Sequence, residues 1–357
     1  MKMKISLALL LGSMVASTAL SAQSTPASAL LALSKKDHTL AIVDPATLRV
    51  IAKVPVGNDP HEVIASADGS KAYVSNYGFG AYNTLAVVDL IGQKALQAVD
   101  LGPLRGPHGL DFVGGKVWFT AEGAKAIGRY DPATRKVDWI LGTGQNRTHM
   151  IFVSETLKWI VTTNVSSGTA SIIEKTAGRL GPPPGGPPPG SGGPPQGPPP
   201  GPPEGDWNQT VIPVGNGSEG FDVSPDGKEI WVANAQDGTV SIIDVAKKHV
   251  TQTLAVEAAH ANRLKFTLDG KLALISTLGG PDLIIVDTAT HNVIKRLPVG
   301  RGAAGILMQP DGLRAFVACS PDDYVAVIDL KSLEVAGHID VGGEPDGLAW
   351  AIRQESQ

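Results

Sequence analysis

Three histidines and a glutamate stand at one place in successive copies of a repeating sequence: His61 in PHEV, His108 in PHGL, His149 in THMI and Glu219 in SEGF. Imidazole and carboxylate are side chains that ligate divalent transition metals or pass protons near neutral pH. Converging, the four would suit a divalent metal ion with one position open for water. Equally, they would suit an acid and a base acting on a small polar substrate. A histidine opening a strand can also simply tie neighbouring copies together by hydrogen bonds. The other copies carry Asn262 (ANRL), Ala304 (AAGI) and Asp346 (PDGL) at this place, and His260 precedes Asn262 closely enough to lean in.

Other residues gather near these in the sequence. Tyr77, Phe79 and Tyr82 crowd the Gly-rich run NYGFGAYN, as a stacking wall over a site or as packing against a neighbouring copy. Arg105 and Arg147 shortly precede His108 and His149, where they would bind an anionic group or stay solvated. Cys319 is the only cysteine, which rules out an internal disulfide. It reads as a buried inert thiol, with a reactive thiol or a soft metal ligand as the alternative. No Ser-His-Asp arrangement, phosphate loop or dinucleotide fingerprint occurs, so neither a nucleotide nor a flavin is expected.

The elements that must position these residues are short β-branched strands ending in an acid: LAIVD, LAVVD, IGRYD, ASIIE, VSIID, LIIVD and VAVID. They close on Asp44, Asp89, Asp131, Glu174, Asp244, Asp287 and Asp329, about 43 residues apart as from Asp244 to Asp287. A unit of that size buries no core alone and must stack on its neighbours. Each copy divides into four strands, as in HEVIASA, KAYVSN, NTLAVVD and ALQAVDLG. Asp68-Gly69, Asp226-Gly227, Asp269-Gly270 and Asp311-Gly312 mark a hairpin between the first two, and Gly114-Gly115 does so in another copy. The chain enters at a second strand (ALLALSK) and finishes on a first (DGLAWAI), so the last strand should complete the first sheet. The expected fold is all-β: a seven-bladed β-propeller of four-stranded antiparallel blades, spanning residues 27–353 and closed by its C-terminal strand. The first strands line the axial channel, and the seven matched residues surround one mouth of it.

Blade two (DGSKAYVSN, NTLAVVD) and blade five (SPDGKEIWVANAQDGTVSIIDV) resemble the YVTN-type β-propeller family, whose members include surface proteins, binding proteins and lactonase-like enzymes. HGLDFVGGKVWFTAEGAKAIGRYDPAT also resembles a repeat of the streptogramin lyases, another seven-bladed group. The resemblance implies the fold; chemistry must come from the site itself.

Residues 1–22 read as a signal peptide: Lys2 and Lys4, an apolar run too short to span a bilayer, then small residues to Ala22. No cysteine follows for lipidation, so the expected location is periplasmic or secreted. A net charge of -4 with scattered Lys and Arg gives no footprint for nucleic acid. Residues 177–207 are expected to be a disordered or polyproline II Pro/Gly-rich insert between the third and fourth strands of blade four, a tolerated insertion or an arm for a protein partner. The leading expectation is an exported propeller binding a divalent metal or small polar ligand at the His/Glu mouth. A metal-assisted lactonase-like hydrolase or lyase at the same site, and a protein-interaction scaffold, are the alternatives.

Overall fold

The computed structural model describes residues 23–176 and 206–353. Its strands form seven four-stranded antiparallel sheets, the expected seven-bladed propeller. The first blade is composite. Strand β28 (Pro345–Ile352) pairs with β1 (Ser28–Ser34), setting Leu30 opposite Trp350, and β2 (Thr39–Asp44) and β3 (Arg49–Pro55) follow outward. This pairing closes the ring and covers the inner edge of β1.

The core lies between blades. Leu31, Leu40 and Ile42 of blade one pack with Val63, Val74 and Val88 of blade two. Trp231 and Ile242 of blade five likewise meet Leu264, Ile275 and Ile284 of blade six. The Asp-Gly turns adopt the left-handed backbone their sequence anticipates, at φ +63° for Gly69 and +71° for Gly227. Six of the strand-end acids cap their own turns: Asp44 accepts from the Ala46 amide at 2.9 Å, and Asp287 from the Thr290 amide at 2.8 Å. Glu174 departs from the pattern and takes the Lys248 ammonium of the next blade.

Seven inner strands line the axis: β4 (Pro60–Ala65), β8 (Pro107–Val113), β12 (Thr148–Val153), β16 (Ser218–Val223), β20 (Ala261–Phe266), β24 (Ala303–Met308) and β28. The third residue of each decides how tightly blades approach. A Cβ on Gly109 would fall 2.6 Å from the His149 carbonyl oxygen, and one on Gly347 2.5 Å from that of His61. Glycine there admits the neighbouring strand. Where the third residue is large, it fills the axis: Glu62 from blade two meets Arg263 from blade six at 2.6 Å. That ion pair crosses between distant blades and lines the deeper hollow behind the mouth, and Arg263 lines the mouth as well.

The insert interrupts blade four between β14 (Thr169–Lys175) and β15 (Trp207–Pro213), which pair from Thr169–Pro213 to Lys175–Trp207. The insert itself, apart from its last two residues, and the 1–22 segment lie outside the described residues. Among the described residues no helix is long and apolar enough to cross a membrane.

Candidate functional site

All seven matched residues, each second in its inner strand, line one cavity of about 300 Å³ at the mouth. The register read from the repeats places His61, His108, His149, Glu219, Asn262, Ala304 and Asp346 together. What it did not anticipate is a second ring, formed by the residue immediately after each blade's second strand. These are Lys35, Tyr77, Glu122, Val165, Ala235, Leu278 and Ser320. Lys35, Tyr77, Leu278 and Ser320 line the cavity, and Glu122 is buried behind its wall.

The two rings interlock through His149. Its Nδ1 lies 2.5 Å from Oε1 of Glu122, and its Nε2 lies 2.8 Å from Oε2 of Glu219. With a carboxylate on each side, both nitrogens must donate, and the ring is an imidazolium. Burial alone would strip that proton, but Glu219 and Glu122 outweigh it and hold the pKa above its ordinary value. Glu219 is also buried, yet His149, Arg263 and Arg147 bring its carboxyl down to about 2. Glu122 is lowered against the same burial by His149, Tyr77 and Arg147. The Tyr77 hydroxyl donates to Glu122 Oε2 at 2.5 Å, and burial together with that bond pushes its own pKa up. Arg147 lies 3.5 Å from Glu122 and 3.8 Å from Glu219. Tyr77, Glu122, His149 and Glu219 thus run as one hydrogen-bonded chain across four consecutive blades.

His108 is the opposite case. Its ring lies 3.7 Å from that of His149 and 5.1 Å from that of His61, centroid to centroid. Burial, then the charges of His149 and His61, drive its pKa well below the ordinary value. A neutral His108 therefore rests on a protonated His149. Among the described residues the buried Nδ1 of His108 has no hydrogen-bond partner, which native interiors rarely allow without a reason.

The remaining expectations divide. Arg147 and Asp346 line the cavity; Lys35 pairs with Asp346 at 3.0 Å. Asn262 lines it too, its Oδ1 taken by Arg263 at 3.2 Å. Phe79 stands on the rim, 86% exposed. Tyr82 turns away against Gly78 and faces a hollow between blades one and two. Arg105 donates to the Ala81 carbonyl at 3.1 Å and does not line the cavity, and neither does His260, which is exposed beside Gly279. Cys319 is fully buried, donates to the Val299 carbonyl at 3.4 Å, and has its thiol pushed up to about 12 by burial; it is inert.

The grouping of His61, His108, His149 and Glu219 as metal ligands is not matched by their arrangement. Both nitrogens of His149 are engaged by carboxylates, and Glu219 closes on His149. Among the described residues, no group of three His, Cys, Asp or Glu is placed to hold a metal ion.

Residues 202–316 match the model of the cytochrome D1 heme domain family. No curated protein matches the chain. Among solved structures, a protein of unknown function from Desulfotomaculum acetoxidans superposes with TM-score 0.70 at 12% identity, covering 91% of this chain and 99% of that one. A candidate 6-phosphogluconolactonase from Bacteroides uniformis gives 0.67 at 15% identity, covering 90% and 99%. Dihydro-heme d1 dehydrogenase in complex with DHE gives 0.58 at 15%, covering 90% and 74%. At these identities the likeness is one of fold, a propeller architecture shared with lactonase-like and D1 heme-domain proteins. The segment that matches the heme-domain model brings Glu219, Asn262, Arg263 and Ala304 to the mouth but no imidazole. Its His249 and His260 are exposed, and His291 packs on Trp231. The match therefore does not carry a heme site into the cavity.

Proposed function

We propose that this protein is an exported binding propeller whose mouth takes a small polar ligand, with His108 as the group that meets it. The observation carrying this reading is that His108 lines the cavity with a buried Nδ1 that has no partner among the described residues, beside a His149 ring fixed by two carboxylates. A turn of the His108 ring toward the cavity would bring that nitrogen to a ligand hydroxyl or carbonyl; a neutral imidazole can donate or accept. Export is inferred from the leader at residues 1–22.

A catalytic reading follows from the same pair. A neutral imidazole beside a fixed imidazolium can serve first as base and then as acid. In lactone hydrolysis, His108 would take a proton from the attacking water and return it to the departing ring oxygen, while His149 keeps both its protons on Glu122 and Glu219. Water adds to the carbonyl carbon, the ring C–O bond breaks, and a hydroxy acid results.

Calorimetry with γ-butyrolactone and with 4-hydroxybutyrate tests the binding reading. Saturable binding that weakens at least about tenfold in His108→Ala is expected, the loss of one buried hydrogen bond to a ligand. Binding of equal strength in that variant contradicts it. A His108-dependent shift in the absorption of added heme would replace it with a heme-binding role. Release of hydroxy acid in proportion to active protein, abolished in both His108→Ala and His149→Ala, would favour the enzyme.

A further inference from the structure

We infer that Phe79 is a stacking residue for the ligand, and that the mouth selects molecules in which a planar aromatic group is joined to the polar head. The inference rests on the binding role proposed above and adds a chemical class to it. Among the described residues, Phe79 is the most exposed large apolar side chain, at 86%. An isolated exposed phenylalanine needs no explanation; this one is held out by its backbone. Phe79 sits at φ +49°, ψ +42°, between Gly78 at φ +55° and Gly80 at φ +88°. A left-handed backbone is unfavourable for a side-chain-bearing residue; it recurs at turn residues of this protein such as Lys125 and Asp323, but Phe79 is the one that carries an exposed aromatic ring into the cavity.

The loop is tied down on each side of it. The Gly78 amide donates to Asp59 Oδ2 at 2.8 Å, the Gly80 amide to the Tyr77 carbonyl at 3.1 Å, and the Gly106 amide to the Tyr82 carbonyl at 2.7 Å. A Cβ on Gly106 would come within 2.9 Å of the Gly80 Cα, so the neighbouring blade's loop is seated against it. The pointer to function is therefore the fixed, exposed ring at the cavity and not the backbone conformation alone.

The surroundings say what the ring meets. Phe79 lies 5.6 Å from the Tyr77 ring and 6.4 Å from the His61 ring, centroid to centroid, and His61 adjoins His108. An aromatic wall thus runs from the rim to the floor. Blades six and seven supply exposed Leu278 and Pro321 to the same cavity. Below this rim the lining is polar: His108, His149, Glu219, Asn262, Asp346 and Lys35. A polar floor under an apolar rim fits a ligand with a hydroxyl or carbonyl head and an aromatic body. Aryl-substituted lactones and their hydroxy acids are the class proposed. Aromatic pairs of this kind prefer offset or edge-to-face contact and gain beyond simple burial.

Calorimetry with γ-butyrolactone and γ-phenyl-γ-butyrolactone tests the inference on the wild-type protein, Phe79→Ala and Phe79→Trp. The phenyl compound should bind the wild type about tenfold more tightly, from ring burial and stacking. Phe79→Ala should erase that preference and Phe79→Trp restore it; the thermal midpoint, unchanged in both, shows they remain folded. A wild-type protein without the preference, or a preference surviving in Phe79→Ala, overturns the inference and leaves polar-ligand binding standing. Failure of both compounds to bind overturns the binding role together with the inference.

Discussion

The mouth has two unlike halves built on one scaffold. From blade two to blade five, the two rings supply His61, Tyr77, His108, Glu122, His149 and Glu219, of which Tyr77, Glu122, His149 and Glu219 are hydrogen-bonded across blade boundaries. From blade six through blade one, the same positions hold Asn262, Leu278, Ala304, Ser320, Asp346 and Lys35. There the charges cancel locally, Lys35 on Asp346, while the Arg263–Glu62 pair closes the axis. The first half is an acid–base network; the second is a wall. Because the backbone is common to both, the difference lies in side chains alone, and substitution can erase it.

The largest expected effect comes from residues at equivalent places in the two halves. Glu122→Ala leaves the His149 imidazolium with one buried carboxylate fewer and should destabilise the protein by about 3–5 kcal/mol in urea unfolding. Ser320→Ala loses only a 2.9 Å bond to the Pro345 carbonyl and should cost about 1 kcal/mol. Equal costs would dissolve the distinction between the halves.

The pH dependence sharpens it. The folded pKa of His149 lies above its ordinary 6.5, so its contribution is complete below that pH and is lost as pH rises through the folded value. Glu219, at about 2 against 4.5, contributes fully above 4.5 and loses it as pH falls toward 2. His108, with a depressed pKa, resists protonation and costs stability as pH falls below 6.5. Thermal midpoints across pH should show His149→Asn without the alkaline decline and His108→Asn with a flatter acid one, each group contributing at most about 1.4 kcal/mol per pH unit. The smallest expected effect concerns metal. After dialysis against zinc, less than about a tenth of an equivalent should be retained, since the donors do not form a closed set. One equivalent lost in His61→Ala and His108→Ala would restore the metal centre.

The fold was legible because its signals recur in every blade: the β-branched strand, the Asp-Gly turn, the strand-end acid. The inner ring was legible for the same reason, as His61, His108 and His149 keep one place in the repeat. Glu122 was not read, although aligning the residue after each second strand sets it beside Tyr77, Leu278, Ser320 and Lys35. Cys319 drew notice one position too early, and the residue after it is the one facing the cavity. No spacing in the sequence could show that Glu122 and Glu219 would both close on His149, because that depends on how near the blades come. Gly109 sets that distance. Arg105 and Tyr82 failed as site residues because loop backbone, not strand register, directs them.

The central claim is that adjacent His108 and His149 hold opposite protonation states at neutral pH. Nitrogen chemical shifts of the imidazoles, followed through pH, test it most directly. His149 should remain doubly protonated above pH 6.5 while His108 stays neutral well below it. Two rings titrating together near pH 6.5 would contradict it.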